Sequence, residues 1–407
     1  MGKKYISEGK KWIQYWTTPE AGERLFLLIW IVFLTRETLM TTMFSMSGTF
    51  YNAVTLITVG GIAVKVFCYD SYRMSELAMV MALGGVAVMV AVRSGYQEPL
   101  FWAILVVGAK GVSFRKIIKT YVVVSGTIVG IAFVASLLDV IVNLQYEVVK
   151  EGVGEYVRNS FGIIYPTDFA AHIFFLMVIF FYLMGGRAKL WHYIFCVGIA
   201  AAVYLLCRTR LDTGCMMIAI ILYGAVHYRG KHCQRIKKIY HPDGWIKRYG
   251  VWSMPVAAFS ITLATILYNP GSTFWINLDK IMTNRLNLGQ SGLNNYGIKL
   301  FGQPVPMIGN GGSTVLPGTY FFIDSSYLFV LLRYGLLFLV LVLATYFLCC
   351  KKYRDDRHFL IMIALVSLNC MIAHHLIELA YCPFALALFA RRDNISESRN
   401  SEQKYIG

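Results

Sequence analysis

The chain has 407 residues, of which 57% are hydrophobic and 15% are charged. Soluble globular domains average about 45–50% apolar and about 25% charged residues, so this composition excludes a disordered chain and an ordinary soluble domain. The net charge of +16 does not by itself indicate nucleic-acid binding, because Lys and Arg accumulate in the cytoplasmic loops of membrane proteins and fix their orientation. We therefore expect the lipid bilayer as a partner and no nucleic acid.

Apolar runs bounded by charged residues predict an all-α protein, a polytopic bundle of about twelve transmembrane helices. A bilayer core of about 30 Å needs roughly 20 apolar residues per helix, and several of the runs approach that length. In chain order the predicted spans are residues 22–41, 50–68, 76–92, 98–111, 118–141, 168–185, 190–206, 211–227, 250–268, 323–348, 358–373 and 378–390. Both termini are expected in the cytoplasm, because this orientation places most Lys and Arg residues in inner loops. Residues 1–407 would then form a single integral membrane domain.

The first long loop, residues 142–167, is predicted to lie on the outer face. Its Glu147, Glu151 and Glu155 are four residues apart, a spacing that predicts a short amphipathic helix on the membrane surface. The alternative is a solvated acidic face with no further role.

Two other loops differ in charge and length. Residues 228–249 are strongly basic and are expected on the cytoplasmic side, where they would anchor the protein at anionic lipids. Residues 269–322 form the longest loop, which lies outside in this topology and precedes the third-last span. Long loops in compact proteins are usually functional or disordered, and aromatic and aliphatic residues at helix-like spacing indicate that this one is partly folded. We therefore expect a large outer functional loop.

Two arginines lie where the orientation rule disfavours them. Arg208 and Arg210, in the segment LLCRTRLDTG, are at the outer end of a predicted helical hairpin. Guanidinium groups stay charged and bind phosphate oxygens bidentately, so this pair suggests a pyrophosphate at the outer surface. The alternative is a local ion pair of Arg210 with Asp212, together with snorkelling toward lipid headgroups. Arg285, in the large outer loop, is a third candidate.

Four further polar residues near predicted outer helix ends are candidates for proton transfer. Asp324 lies at the outer entrance of a span, where it would act as a helix cap or as a general base. His374, His375 and Glu378 are predicted to share a short outer turn, and imidazole titrates near neutral pH. A metal site is not expected there, because adjacent histidines cannot easily converge on one zinc ion.

Several familiar catalytic motifs do not occur in the sequence. It contains no Walker motif, no G-x-S-x-G elbow and no H-E-x-x-H pair, which excludes the ATPases, hydrolases and metalloproteases that depend on them. No cofactor is expected. The nine cysteines lie mostly in or beside apolar spans, which argues against a disulfide framework.

Four short stretches between about residue 200 and residue 390 occur in a recognisable order. They are the arginine turn CRTRLDTG, the large-loop sequence NRLNLG followed by KLFGQ, the helix entrance IDSSYLFVLLRYGLLF, and the C-terminal IELAYCPFALALF. In this order the chain resembles the bacterial polysaccharide repeat-unit polymerases of the Wzy type, which are related to the O-antigen ligases. Cys207 departs from the glycine or serine that the family usually has before the arginine turn.

This resemblance implies a glycosyltransferase in the bacterial cytoplasmic membrane. It would polymerise oligosaccharide repeat units, linked to undecaprenyl diphosphate, into capsular, exo- or O-antigen polysaccharide at the outer face. A hydroxyl group of the acceptor unit would attack the anomeric carbon of the growing chain, and the lipid pyrophosphate would leave. A flippase and a chain-length regulator are implied as partners.

The implied site has a cationic part and a proton-accepting part. The cations that would stabilise the departing pyrophosphate are Arg208, Arg210 and Arg285. The groups that compete as the base are Asp324, His374, His375 and Glu378.

Three alternatives belong to other functional classes. A ligase would transfer finished chains to a different acceptor by the same chemistry. A flippase for lipid-linked sugars would be expected to distribute its charges through several spans and to have repeated halves, whereas the unusual charges here cluster at the predicted outer face. A structural membrane subunit would need none of these charges.

Overall fold

The computed structural model describes residues 19–150, 154–232, 242–315 and 320–393. Within these ranges the chain forms fifteen α-helices, three short 3-10 helices and one two-stranded sheet. The prediction of an all-α, multi-pass membrane protein therefore agrees with the structure, apart from the sheet.

The first half of the chain contains eight helices and the sheet. The helices are α1 Pro19–Met40, α2 Gly48–Cys68, α3 Met74–Ser94, α4 Glu98–Gly108, α5 Phe114–Leu137, α6 Pro166–Met184, α7 Leu190–Cys207 and α8 Arg210–His232. The strands, between α5 and α6, are β1 Gln145–Lys150 and β2 Gly154–Asn159.

The second half contains seven further helices in the described residues. They are α9 Pro242–Tyr249, α10 Ser253–Ile266, α11 Thr273–Ile281, α12 Arg285–Tyr296, α13 Ser326–Arg333, α14 Leu336–Lys352 and α15 Arg357–Asn369. The 3-10 helices are Gly185–Arg187, Gly250–Trp252 and Pro383–Leu388. Residues 233–241 of the predicted basic loop lie outside the described residues.

Seven helical segments in the described part of the chain are long and apolar enough to cross a membrane. They are Gly48–Cys68, Met74–Ser94, Phe114–Leu137, Pro166–Arg187, Leu190–Cys207, Arg210–Tyr228 and Gly244–Ile266. The predicted number of about twelve spans is not confirmed. Helices α4 and α15 have only 11 and 13 residues, fewer than the roughly 20 that a bilayer core needs. Helix α1 has 22 residues, but five of them are charged.

The predicted span 323–348 is divided into two helices, α13 and α14. The break lies at Gly335, whose φ is +90°, and it packs against Gly302, whose φ is +79°. A Cβ atom on either glycine would collide with backbone atoms of the other segment. Hydropathy could not predict the break, because the segment that causes it lies about thirty residues earlier in the chain.

The predicted span 378–390 is wrong as a membrane helix. In the structure this segment contains only the 3-10 helix Pro383–Leu388, and it is buried within the protein. Proline at its start cannot donate a backbone hydrogen bond. The Lys352 ammonium group donates to the carbonyl oxygens of Ala387 and Leu388, each at 3.0 Å, and also to that of Ala390. Irregular backbone at membrane depth is tolerated where protein surrounds it in this way.

The predicted amphipathic helix in residues 142–167 is also wrong, because this loop forms the antiparallel β-hairpin of β1 and β2. Glu147 pairs with Val157 and Glu155 pairs with Val149 across the hairpin, while Glu151 lies outside the described residues. Alternation of polar residues with Val and Tyr suits a strand with one buried face. The Tyr146 hydroxyl anchors the hairpin by donating to the carbonyl oxygens of Asn310 at 2.9 Å and Ile164 at 3.2 Å.

Several of the segments that connect the helices meet at one end of the helix bundle. The hairpin meets the turn between α7 and α8 and the large loop that contains α11 and α12. We call this the hairpin end. Helix α6 begins here and is the most deeply buried of the seven candidate spans, with 56% of its apolar window inside the protein. The first residues of this buried helix therefore lie at the hairpin end.

Candidate functional site

A cavity of about 260 Å³ lies at the hairpin end. Its walls come from β2, the loop before α6, the turn between α7 and α8, the start of α12, and the segment before α13. The charged and aromatic lining residues are Arg158, Arg208, Arg210, Arg285, Asp212, Asp324, Tyr156, Tyr165 and Tyr320. Four arginines against two aspartates give the cavity an excess of positive charge, which suits an anionic ligand.

The structure brings together four of the seven residues that the sequence singles out. Arg208, Arg210, Arg285 and Asp324 line the same cavity, although up to 116 positions separate them in sequence. His374, His375 and Glu378 do not line it. The three predicted cations and one of the four predicted bases therefore line the cavity, and the other three predicted bases do not.

Arg208 and Arg210 lie in the turn between α7 and α8. Arg208 ends α7 in the left-handed conformation, with φ of +53°, and its guanidinium carbon is 5.7 Å from the centre of the Tyr156 ring. Among the described residues, neither arginine forms a side-chain hydrogen bond or an ion pair. The alternative pairing of Arg210 with Asp212 is not observed, because Asp212 is buried and accepts a hydrogen bond from Asn369 Nδ2 at 3.4 Å. Both guanidinium groups thus remain available for an anion.

Arg285 is held firmly in the cavity wall. Its Nε donates to the carbonyl oxygen of Ile372 at 2.7 Å, and its Nη1 donates to that of Met282 at 3.1 Å. Its Nη2 lies 3.6 Å from Asp324 Oδ2. The arginine therefore links the start of α12 both to the segment after α15 and to the second carboxylate of the cavity.

Arg158 is a cavity residue that the sequence analysis missed. It lies on β2, and its Nε donates to the carbonyl oxygen of Cys207 at 3.1 Å, so it caps the end of α7 with a positive charge. Its Nη1 donates to the Tyr165 hydroxyl at 3.4 Å. The signal that could have found it was available, since Arg158 is an arginine on the predicted outer face, like Arg208.

Asp324 does not act as a helix cap. The N-cap of α13 is Ser325, and no side chain caps this helix. Asp324 instead faces Arg285 across the cavity. Burial raises the pKa of Asp324, and the positive charge of Arg285 partly opposes that rise.

His374, His375 and Glu378 form a compact cluster behind the cavity. Glu378 Oε2 lies 2.8 Å from His375 Nδ1, and Glu378 Oε1 lies 3.4 Å from His374 Nε2. Burial lowers the pKa of His374 to about 3 and that of His375 to about 3, so both imidazoles are neutral at pH 7. We call these three residues the histidine cluster.

Asp168 connects the histidine cluster to the cavity. Its Oδ1 lies 3.8 Å from His375 Nε2, and the preceding residue, Thr167, lines the cavity. The sequence analysis did not select Asp168, although an acidic residue two positions after Pro166, at the outer start of a predicted span, resembles Asp324 in its placement.

The sequence argument that adjacent histidines cannot converge does not hold for this chain. Residues 370–378 leave the helical conformation after α15, so His374 and His375 both turn toward Glu378. Donor atoms of the three residues all lie within 4.8 Å of one another, close enough to hold a metal ion.

A larger groove of about 810 Å³ opens between the end of α5, the start of β1 and the connection from α1 to α2. Among the described residues, Asp139 is the only charged one that lines this groove, and none of the predicted site residues does so. The smaller cavity is therefore the candidate active site. Comparisons with protein-family models, with curated proteins and with solved structures found no match for this chain.

Proposed function

We propose that this membrane protein is a glycosyltransferase that joins oligosaccharide repeat units, linked to undecaprenyl diphosphate, into a capsular, exo- or O-antigen polysaccharide. The reaction would take place at the outer face of the bacterial cytoplasmic membrane. The observation that most supports this proposal is the cavity that Arg208 and Arg210 line together with the carboxylate of Asp324, where neither arginine has an ionic partner among the described residues.

The cavity suits the leaving group of this reaction. A hydroxyl group of the acceptor unit forms a bond to the anomeric carbon of the donor chain, and the bond from that carbon to the lipid pyrophosphate breaks. The pyrophosphate leaves with the electron pair and gains negative charge. Guanidinium groups placed where the charge develops lower the barrier. The effect is strongest for Arg285, which is held by hydrogen bonds and largely buried, so water screens its charge less.

Asp324 is the base that the geometry favours. A base must come within about 2.6–3.2 Å of the proton that it removes, and Asp324 lines the cavity, whereas the histidine cluster does not. Burial raises the pKa of Asp324, which makes its carboxylate a stronger base than an ordinary aspartate. The proton of the attacking hydroxyl therefore passes to Asp324.

The position of the arginines also suits a lipid-linked substrate. Cys207 is the last residue of α7 and Arg210 is the first residue of α8, and both helices are long and apolar enough to cross a membrane. Their shared end is thus at the membrane surface, where the diphosphate of a prenyl lipid lies while its tail stays in the bilayer.

The test compares surface polysaccharide in cells that contain Arg210→Ala, Arg93→Ala or the unchanged protein. Arg93 is the matched control, because it is an exposed arginine in the last turn of α3 and does not line the cavity. We expect Arg210→Ala to reach the membrane in normal amount and to abolish long chains, while single repeat units still reach the cell surface. Arg93→Ala should give the normal chain-length distribution.

Three results would contradict the proposal. Normal chain length in Arg210→Ala would remove this arginine from the site. Accumulation of lipid-linked units on the cytoplasmic face after gene deletion would indicate a flippase. Long chains that form but are not transferred to their final acceptor would indicate a ligase.

A further inference from the structure

We propose that His374, His375 and Glu378 bind a divalent transition-metal ion, with Zn²⁺ the ion that fits best. This proposal does not depend on the proposed polymerase reaction.

The donor atoms have the chemistry and the spacing of a zinc site. Two imidazole nitrogens and one carboxylate are a common ligand set for Zn²⁺, with a solvent molecule in the fourth position. Bonds of about 2.0–2.2 Å in tetrahedral geometry hold neighbouring ligand atoms roughly 3.3 Å apart. Glu378 Oε2 lies 2.8 Å from His375 Nδ1, and Glu378 Oε1 lies 3.4 Å from His374 Nε2. Ligand atoms of the three residues lie within 4.8 Å of one another, so side-chain rotations can bring one atom of each onto one ion.

The backbone on both sides of the two histidines is fixed by one residue. The Ser326 N–H group and hydroxyl both donate to the carbonyl oxygen of Ala373, and the Ser326 hydroxyl accepts from the Leu376 N–H group at 3.1 Å. A ligand set that is held in place before binding loses less conformational entropy when the ion arrives.

Aromatic rings hold the two imidazoles in their orientations. The Tyr381 ring stacks on His375 with 3.8 Å between ring centres, and the edge of Phe322 meets His374 at 4.9 Å. These ring contacts favour a single arrangement of the ligands.

Asp168 supplies the outer partner that metal-binding histidines usually have. If His375 Nδ1 binds the ion, the ring proton must be on Nε2, which lies 3.8 Å from Asp168 Oδ1. This distance is longer than a hydrogen bond, so the carboxylate must move about 0.8 Å closer to accept from Nε2, where it would fix the tautomer and make the imidazole a stronger ligand. Asp168 is thus a positioning residue for the metal and does not bind it.

The proposed ion would hold the back wall of the cavity. Ile372, two residues before His374, accepts the hydrogen bond from Arg285 Nε at 2.7 Å. Joining His374 and His375 to Glu378 closes the segment after α15 into a short loop, which fixes the carbonyl group that orients Arg285. The ion is therefore expected to stabilise this wall without touching the substrate.

The test measures metal binding by the purified full-length protein after chelator treatment. Calorimetric titration should give about one Zn²⁺ bound per chain, and His375→Asn or Glu378→Gln should weaken binding about tenfold or more, since each removes a ligand. Asp168→Asn should weaken it by about 10–100-fold. His192→Asn and Cys233→Ser are the matched controls, a histidine and a cysteine elsewhere in the sequence, and both should bind as the unchanged protein does.

A second measurement on the unchanged protein keeps the test valid if a variant does not fold. Loading with Co²⁺ should give the visible absorption of a tetrahedral ion with nitrogen and oxygen ligands. The proposal is overturned if the folded protein binds neither ion, which would leave the cluster as a hydrogen-bonded network, or if the ligand variants bind as tightly as the controls. Because the readout is metal binding, either result leaves the polymerase proposal untouched.

Discussion

Arg285 and Asp324 form an ion pair across the candidate active site, with 3.6 Å between Nη2 and Oδ2. The arginine begins α12 in the large loop, and the aspartate precedes α13, so the pair joins two elements that are 39 positions apart in sequence. Sequence patterns selected the two residues separately, as a cation and as a base. Their pairing means that replacing Arg285 must alter the proton affinity of Asp324.

The first prediction concerns the pH dependence of polymerisation. Asp324 is active as a carboxylate, so the rate should fall as pH decreases through its pKa, which burial raises above that of an ordinary aspartate. In Arg285→Gln the positive charge that lowers this pKa is lost. The acid limb of the pH–rate profile, which is the pH range over which the rate falls on acidification, should therefore move to higher pH. The measurement is the pH–rate profile of the purified protein with lipid-linked repeat units.

Two controls separate the pKa effect from a general loss of activity. Arg285→Gln is also expected to be slower at every pH, because a cation of the cavity is missing, but only the shape of the profile reports on Asp324. Arg285→Lys should keep the acid limb near its original position. An unchanged acid limb in Arg285→Gln would mean that Asp324 is not the titrating base.

The second prediction separates function from stability at Arg208. This residue has φ of +53°, a conformation that costs a residue with a side chain about 1 kcal/mol relative to glycine. Arg208→Gly should therefore unfold at the same temperature as the unchanged protein or a higher one, while long polysaccharide is lost. Arg208→Ala should lose activity as well and unfold at a lower temperature than Arg208→Gly.

Thermal unfolding of the purified variants and the chain length of surface polysaccharide provide the two readouts. Long chains in Arg208→Gly would show that this guanidinium has no part in catalysis. A large drop in its unfolding temperature would show instead that the arginine stabilises the turn.

The positions of the long helices could be predicted from the sequence because the signal is local. The run 50–68 corresponds to α2 Gly48–Cys68, and the run 190–206 corresponds to α7 Leu190–Cys207. In both, a charged or polar residue at each end and an apolar interior determine the element. No distant contact is needed for such a prediction.

The errors arose where a distant or an ambiguous signal decides the structure. Glu147, Glu151 and Glu155 have helical spacing, but the Val and Tyr residues between them also alternate, and docking of Tyr146 against Asn310 selects the strand. The cavity residues also depend on contacts between distant parts of the chain. Single arginines, Arg158 included, can be selected by their placement on the predicted outer face, but only the fold of the hairpin shows that Arg158 reaches Cys207.

The third prediction concerns the break between α13 and α14. Gly335→Ala should destabilise the protein by about 2–3 kcal/mol or more, because φ of +90° is strained for alanine and the new Cβ would collide with the backbone near Gly302. Gly84→Ala is the matched control, since nothing lies within 4 Å of its Cβ position in α3. That change should be neutral or stabilise by about 0.5–1 kcal/mol, as for alanine in a helix interior. Equal unfolding temperatures for the two variants would contradict the close packing of Gly302 and Gly335.

The fourth prediction concerns the buried segment after Glu378, which hydropathy assigns to a membrane helix. Its last carbonyl groups have the ammonium group of Lys352 as their donor, which reaches Ala387 and Leu388 at 3.0 Å and also Ala390. Lys352→Met keeps the length of the side chain but leaves these acceptors without a hydrogen bond. Each buried group left unsatisfied costs about 1–3 kcal/mol, so the loss of stability should be at least of that size.

Lys351→Met provides the matched control for this prediction. Lys351 is the preceding residue of α14, it is exposed, and its side chain forms no hydrogen bond within the described part of the chain. Its replacement should change stability by no more than about 0.5 kcal/mol, as is usual for a surface position. The measurement is the unfolding temperature of each purified variant, together with its amount in the membrane. If the two variants were equally stable, the irregular segment would not depend on Lys352, and some other donor would have to satisfy its carbonyl groups.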